Sequence, residues 1–477
     1  MRRFRFWPLI ILFFPPLLYA GVGDTHFEPV ASVILWVTLI FFLGITGRYI
    51  AELLNQPGVL GELLMGVLVG NLFYFLGMPL ALVLREGPAI YSIMNDLLTG
   101  IPLHEAVTST IHDPTEALQM IQALKGASGA SWLKVAYVVD IFSRYGVIFL
   151  LFMVGLETSV DELVHTGMES LKVAVIGVVA PILLAMGFMY IFMPFSSYQS
   201  DLFVAATLSA TSIGITARVL KELKKVQTRE AKTILGAAMI DDILGLIALA
   251  IVTSIVVSGA LDIFNVSRII LLSVLFFSIA LLFGTWFLKK VLYLFKFLEV
   301  WEAKLFVTFI FVMLFSWFAT LIQLATIIGA FAAGIIISEE LFPKKFDRHN
   351  RLNVAELVAP LEFILAPLFF VLMGIQVKIE LFFNLNVLFL AFGLIIAAIL
   401  GKLVCGLGAS RKSDRLLVGI GMLPRGEVGL IFASIGRKLE VISDQLFSAI
   451  ILMVIVTTLI APLWMKARYA KQKAVYR

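Results

Sequence analysis

Asp241 and Asp242 stand side by side in AAMIDDILGLIALAIV (237–252), a stretch that is otherwise apolar. A carboxylate near the centre of a bilayer costs at least about 2.5–3.5 kcal/mol on insertion scales, so two in succession mark a site. Adjacent helical residues point about 100° apart, and the two carboxylates must therefore serve different partners. One can face a protein cation while the other faces a water-filled cavity, where it can hold a proton or a small cation. The candidate protein cation is Lys402 in IIAAILGKLVCGLG (395–408), the only lysine well inside the apolar runs of the second half. Its protonation would depend on whether its carboxylate partner is occupied.

Two further segments supply oxygen donors. ATLSATSIGITARV (206–219) packs Thr207, Ser209, Thr211, Ser212, Gly214 and Thr216 into one apolar span. GIGMLPRGEVGLIFASIG (419–436) sets Pro424 and Gly426 beside Arg425 and Glu427. Both read as broken helices, the device by which transporters bring backbone carbonyls and helix ends to the membrane midplane. Hydroxyls and freed carbonyls are hard donors suited to a small cation, whereas a soft metal wants thiolate or imidazole. Arg425 and Glu427 are two residues apart and would not pair on a regular helix. Gly419 and Gly421 do not make a nucleotide fingerprint, because Pro424 replaces the third glycine and no βαβ unit surrounds them. Glu62, Glu157 and Glu362 lie near span ends, where an anchoring role is expected.

The elements that position these residues follow from composition. The 477 residues are 61% hydrophobic and 14% charged, with a mean hydropathy of +1.02, which defines an all-α polytopic membrane protein. A helix needs roughly 20 apolar residues to cross a bilayer. Such runs fall at about 30–50, 59–76, 141–157, 171–194, 202–220, 233–257, 267–290, 304–321, 325–338, 358–375, 387–407, 415–436 and 444–466, predicting thirteen transmembrane helices. If the sixth enters near Thr233, Asp241 lies roughly 12 Å deep, close to midplane. Lys and Arg cluster in alternate short loops (218–232, 289–304, 344–351, 411–415) and in the tail 467–477, placing the mature N-terminus outside and the C-terminus in the cytoplasm. The segment 1–20, with Arg2, Arg3 and Arg5 before a short apolar run, is expected to be a signal peptide. A bacterial inner membrane is the natural setting. One cysteine, Cys405, and five scattered histidines exclude a disulfide and argue against zinc or redox chemistry. No cofactor is expected. The formal charge of +5 sits in the loops and does not point to nucleic acid.

Internal matches set the architecture. VLGELLMGVLVG (59–70) resembles IIGAFAAGIIIS (327–338), pairing Gly61 with Gly329 and Gly66 with Gly334. VIFLLFMVGLET (147–158) resembles APLFFVLMGIQV (366–377), pairing Gly155 with Gly374. Seven spans separate the members of each pair, so the copies run in opposite directions, an inverted-topology repeat. The first copy is longer by an insertion at 77–135, expected to be an extracytoplasmic ordered loop or surface helices.

Taken together, SATSIGITARVLKEL, AAMIDDILGL, LFMVGLE, IIGAFAAGIIIS and MLPRGEVGLIFASIG resemble the monovalent cation/proton antiporter superfamily. Within it the chain is similar to the bacterial sodium/proton antiporters of the second group, whose core helix carries a double aspartate. The resemblance covers residues 30–466. It implies a dimer panel in two parts (30–157 and, with a linker helix, 267–375) and a core in two halves (171–257 and 387–466) where two broken helices cross. By position it implies that Asp242 binds the ion or proton, that Asp241 pairs with Lys402, and that Thr211 and Ser212 lie at the crossing with Ser209, Gly214, Pro424, Arg425, Gly426 and Glu427. It further implies a homodimer that exchanges Na+ or Li+ for H+ by an elevator movement of the core. K+/H+ exchange on the same scaffold is the alternative; a cation channel or a membrane sensor fits the midplane carboxylates less well.

Overall fold

The computed structural model describes residues 30–475, apart from positions 55, 112–113, 127, 158–166, 195, 226–227, 259–262, 296, 323, 338–340 and 343–351. The expected signal peptide, 1–20, lies outside the described residues. Two apolar helices, α1 (Ala31–Leu53) and α2 (Gly58–Phe75), come first. Four short ones follow: α3 (Pro79–Arg85), α4 (Gly87–Leu98), α5 (Leu103–Thr110) and α6 (Pro114–Lys125). The long α7 (Gly129–Glu157) and α8 (Met168–Phe192) lead to an interrupted span, α9 (Tyr198–Ser209) and α10 (Ile213–Glu222). Next come α11 (Arg229–Ser258), α12 (Ile263–Leu294), α13 (Val300–Leu321) and the short α14 (Thr326–Ile336). The chain closes with α15 (Val354–Ile375), α16 (Leu385–Cys405), a second interrupted span formed by α17 (Arg415–Gly421) and α18 (Glu427–Lys438), and α19 (Asp444–Val475).

Among the described residues there is no strand, and nine helices are long and apolar enough to cross a membrane. A tenth span forms if α12, bent by 44° between its halves Leu271–Ala280 and Leu282–Leu294, counts as one. The runs expected at 202–220 and 415–436 fall on the two interrupted spans, and 325–338 falls on the 11-residue α14. Hydropathy alone does not show these interruptions, because apart from Arg425 the breaking residues are apolar or small. Large apolar side chains lie on the outer surface, among them Leu282, Phe283 and Trp286 of α12, as a lipid-facing surface requires.

The helices pack in two groups. In the first, α7 and α15 lie against each other, with α1, α2, α13 and α14 around them; in the second, α8 packs on α9, α11 and α16, and α16 on α19. Glycines carry the closest approaches of the first group. A methyl added at Gly66 would stand 3.0 Å from the Cα of Gly374, and one at Gly155 would stand 3.0 Å from the Cα of Gly334. These approaches bring together four of the six glycines matched in the sequence, Gly66 with Gly374 and Gly155 with Gly334. Each interrupted span also starts on a capped end: Ser197 Oγ accepts the N–H of Ser200 at 3.1 Å, and Asp414 accepts that of Leu417 at 3.1 Å.

The insertion is a folded cap. Its helices bury Leu80, Val83, Leu84, Ile93, Val107 and Met120 in one cluster with Trp36 of α1 and Trp132 of α7. The two indoles meet edge to face at 5.9 Å. Helix α7 begins at Gly129 instead of near 141, because its first turns rise beyond the apolar run to carry the cap. Tyr91 stacks on Tyr137 there at 6.0 Å.

Candidate functional site

The helical ladder fails at two places, Ala210–Ser212 and Met422–Gly426, and the two failures face each other. Across the crossing, Ser212 N–H donates to the carbonyl of Pro424 at 2.9 Å. Thr216 donates to the carbonyl of Gly421 at 2.8 Å, and Thr211 to that of Met422 at 3.4 Å. Each break thus has partners for backbone groups that its own helix cannot satisfy, which is the condition for irregular backbone at membrane depth. Gly426 is required by the approach: a Cβ there would come within 2.8 Å of both Cβ and Oγ of Ser212.

Arg425 is fully buried at the crossing. Its guanidinium donates to the carbonyl of Ala210, the residue that follows the last turn of α9 in the opposite break. Its own carbonyl accepts from Thr458 of α19. A guanidinium neutralises the carbonyl end of a half-helix, where the helix dipole is negative.

Helix α11 passes beside this crossing and brings both aspartates to it. Lys402 Nζ lies 3.2 Å from Oδ1 and 3.3 Å from Oδ2 of Asp241, and both side chains are removed from solvent. The Thr211 hydroxyl lies beside the Asp241 carboxylate, and Arg425 stands within electrostatic reach of both members of the pair. Lys402 has room because α16 is thin here: Gly401 lies directly on Pro181 of α8, and a Cβ on Gly177 would stand 3.5 Å from the ammonium. Asp242, one residue on, is also buried, at 4% exposure. Two carboxylates, an ammonium and a guanidinium thus lie buried beside the crossing.

The remaining expected site residues take different positions. Ser209 ends α9 and its hydroxyl is turned back to Ala206 O at 2.7 Å, so it caps its own half-helix without bridging the crossing. Gly214 is the second residue of α10, and Glu427 is the first of α18, its side chain outside the described residues. Glu62 is tied to Arg48 of α1 at 2.5 Å, an anchoring pair near the ends of both helices. Thr458 and the carbonyl of Ala210 were not legible as site groups. The one signal for Thr458 is the polar pair Thr457–Thr458 inside VIVTTLIAPLW (454–464). Thr457 bonds back to its own helix, at Met453 O, 2.8 Å.

A multi-pass helical bundle whose interrupted helices cross beside a buried carboxylate–ammonium pair has the build of a secondary transporter. The chain belongs to the sodium/hydrogen exchanger family, whose transmembrane model matches residues 37–468. It is 35% identical to the high-affinity Na(+)/H(+) antiporter NhaS3 of Synechocystis, over 98% of this chain and 96% of that protein. It is 34% identical to the Na(+)/H(+)-K(+) antiporter GerN of Bacillus cereus, over 73% of this chain and 88% of that one. Among solved structures, the fold is similar to that of the sodium proton antiporter MjNhaP1 from Methanocaldococcus jannaschii. That match has a TM-score of 0.57 at 16% identity, covering 94% of this chain and 99% of the other.

Proposed function

We propose that this protein exchanges Na+ or Li+ for H+ across a bacterial inner membrane, with Asp242 as the shared ligand of ion and proton. The observation that carries the reading is the position of Asp242, which is buried beside the crossing while its neighbour Asp241 is held by Lys402. With Asp242 deprotonated, a cytoplasmic cation binds among its oxygens and those of the crossing at Thr211 and Ser212. Release on the far side is followed by protonation, and the neutralised group of core helices returns. Because ion and proton compete for one carboxylate, each leaves only by replacing the other. The first helix group serves as the dimer panel and the second as the moving core. The basic loops face the cytoplasm and the cap faces outward, on the charge bias of the short loops.

Asp241 and Lys402 supply a second proton-sensitive pair. If the cation draws Asp241 away, Lys402 loses its proton, two protons exchange for one cation, and the cycle moves net charge. Exchange of K+ is the second reading, favoured by the K(+) in the name of GerN, to which the chain is 34% identical. The test is purified protein in liposomes with an internal pH dye, to which Na+, Li+ and K+ are added in turn. Exchange with Na+ and Li+ that disappears in Asp242→Asn is the expected result. Unchanged exchange in that variant sinks the site assignment, a K+ response selects the second reading, and cation flux without proton movement indicates a channel.

A further inference from the structure

The short link from α15 to α16 joins the two helix groups, and Lys378 stands on it, only 5% exposed. Three carboxylates from three separate elements surround its ammonium. Glu86, at the corner between α3 and α4, lies at 2.9 Å; Asp444, the first residue of α19, lies at 2.5 Å; Glu116, in the first turn of α6, completes the set. The carboxylate oxygens of the three acids lie within 4.8 Å of one another, so the ammonium fills the position a bound cation would take.

Arg437, at the end of α18, extends the same junction. It contacts Asp444 Oδ1 at 2.6 Å and donates to the carbonyl of Arg85, in the cap, at 3.2 Å and to Gln376 Oε1 at 3.2 Å. Arg85 in turn holds Glu380 of the link at 2.6 Å and lies 3.8 Å from the ring centroid of Tyr74 on α2. The cap is built on the first helix group through the Trp36–Trp132 cluster, yet its charged edge bonds to α18 and α19 of the second. Below it, a cavity of about 700 Å³ separates the groups, lined by Tyr91 of the cap, Asp140 and Arg144 of α7, Thr253 of α11 and Lys438 of α18. Lys438 reaches across this cavity to Asp140 at 3.6 Å.

We propose that the cap formed by α3–α6 is a latch, in which Lys378 and Arg437 fasten the second helix group to the first at the outer face and so limit the rate of exchange. The inference rests on the proposed exchange by relative movement of the two groups. Any sliding of α18 and α19 along α7 and α15 must part Asp444 and Arg437 from Lys378, Gln376 and Arg85. Lys378 and Arg437 are each only 5% exposed in these contacts, although Asp444 is 30% exposed, and separating them requires resolvating the two buried cations before transport can proceed. The short link gives Lys378 little room to follow α19 if Glu86 and Glu116 hold it to the cap. Asp444 is the key because it bonds both cations at once and belongs to the second group.

Two variants in liposomes test the latch. Asp444→Asn keeps the shape and removes the charge; a several-fold rise in Na+-driven turnover is expected, and turnover at or below the wild-type value overturns the proposal. In the double variant Glu116→Cys/Asp444→Cys, a short bis-methanethiosulfonate joins cap to core. Exchange is expected to stop on cross-linking and to return with reductant, each variant with one introduced cysteine beside the buried Cys405 being unaffected by the reagent. Undiminished exchange in the cross-linked protein overturns the latch. Wild-type exchange abolished by Asp242→Asn in the same vesicles upholds the proposed function whichever way the latch result falls.

Discussion

Lys402 on α16 lies 3.2 Å from Asp241 on α11, although 161 residues separate them in the chain. The pair is sealed from solvent, with Arg425 and Thr211 on its flanks. A buried ion pair contributes little net stability, but removing one partner strands the other. Lys402→Ala should therefore cost about 3–5 kcal/mol of stability, and the double variant Asp241→Asn/Lys402→Gln should recover much of it. Thermal melting in detergent checks both. A double variant no more stable than the single one would show that the pair is not the coupled unit.

A bound ion stabilises the state that binds it. At a Na+ concentration one hundred times Kd the gain is about 2.7 kcal/mol, so the melting temperature should climb with added Na+ in wild type and stay flat in Asp242→Asn. Equal slopes would move the ligand elsewhere.

Net charge movement gives a separate test. At about 2.3 kcal/mol per charge per 100 mV, an inside-negative potential of 100 mV should shift the exchange balance about fiftyfold for two protons per cation. Ion gradients measured at balance in sealed vesicles, with the potential clamped by valinomycin and K+ and in the presence of Na+, report it. Balance that ignores voltage rules out the two-to-one cycle.

The crossing has no spare volume at Gly426. A Cβ there meets Ser212 Cβ and Oγ at 2.8 Å, and the break has little freedom to yield, since Ser212 N–H is bonded to Pro424 O. Overpacking costs about 1–3 kcal/mol. Gly426→Ala is expected to lower stability by that amount and to reduce exchange at least tenfold. Chemical denaturation in detergent and the liposome assay read the two effects.

The latch also sets an alkaline limit. Burial alone would lower the Lys378 pKa, but the carboxylates of Glu86, Asp444 and Glu116 overcome it and hold the pKa above the usual 10.5. A lysine whose folded pKa is raised contributes stability that is complete below 10.5 and is lost as pH climbs through the folded value. Glu116 is raised from 4.5 by burial first and by the charge of Glu86 next, against Lys378; its stabilising effect is present below 4.5 and fades as pH rises through the folded value, a separate and acidic window. Arg437 and Arg85 are the other basic groups at this junction. Melting curves at pH 9 and pH 11.5 should show a larger loss in wild type than in Lys378→Met, and equal losses would exclude Lys378 as the titrating group.

Much of the site could be read from residue type alone. Charge inside an apolar run is so costly that Asp241, Asp242 and Lys402 identify themselves, and Ser, Thr, Gly and Pro crowded into two spans mark the places where a helix can break. The helical character of the chain is fixed equally early, because a bilayer admits only backbones that satisfy their own hydrogen bonds. Which partners those breaks find is a tertiary matter. Nothing in SATSIG or MLPRGE says that Ser212 N–H meets Pro424 O, that Arg425 covers the end of α9, or that Thr458 holds Arg425, since these bonds join segments 33 to 215 residues apart. The cap was least legible. Its helices lie outside the apolar runs, and they acquire a core only when Trp36 of α1 and Trp132 of α7 close over them. Composition thus determined what must be buried and neutralised. Only the packing of the two helix groups decided which cation sits on which carboxylate, because electrostatics acts across space and not along the chain.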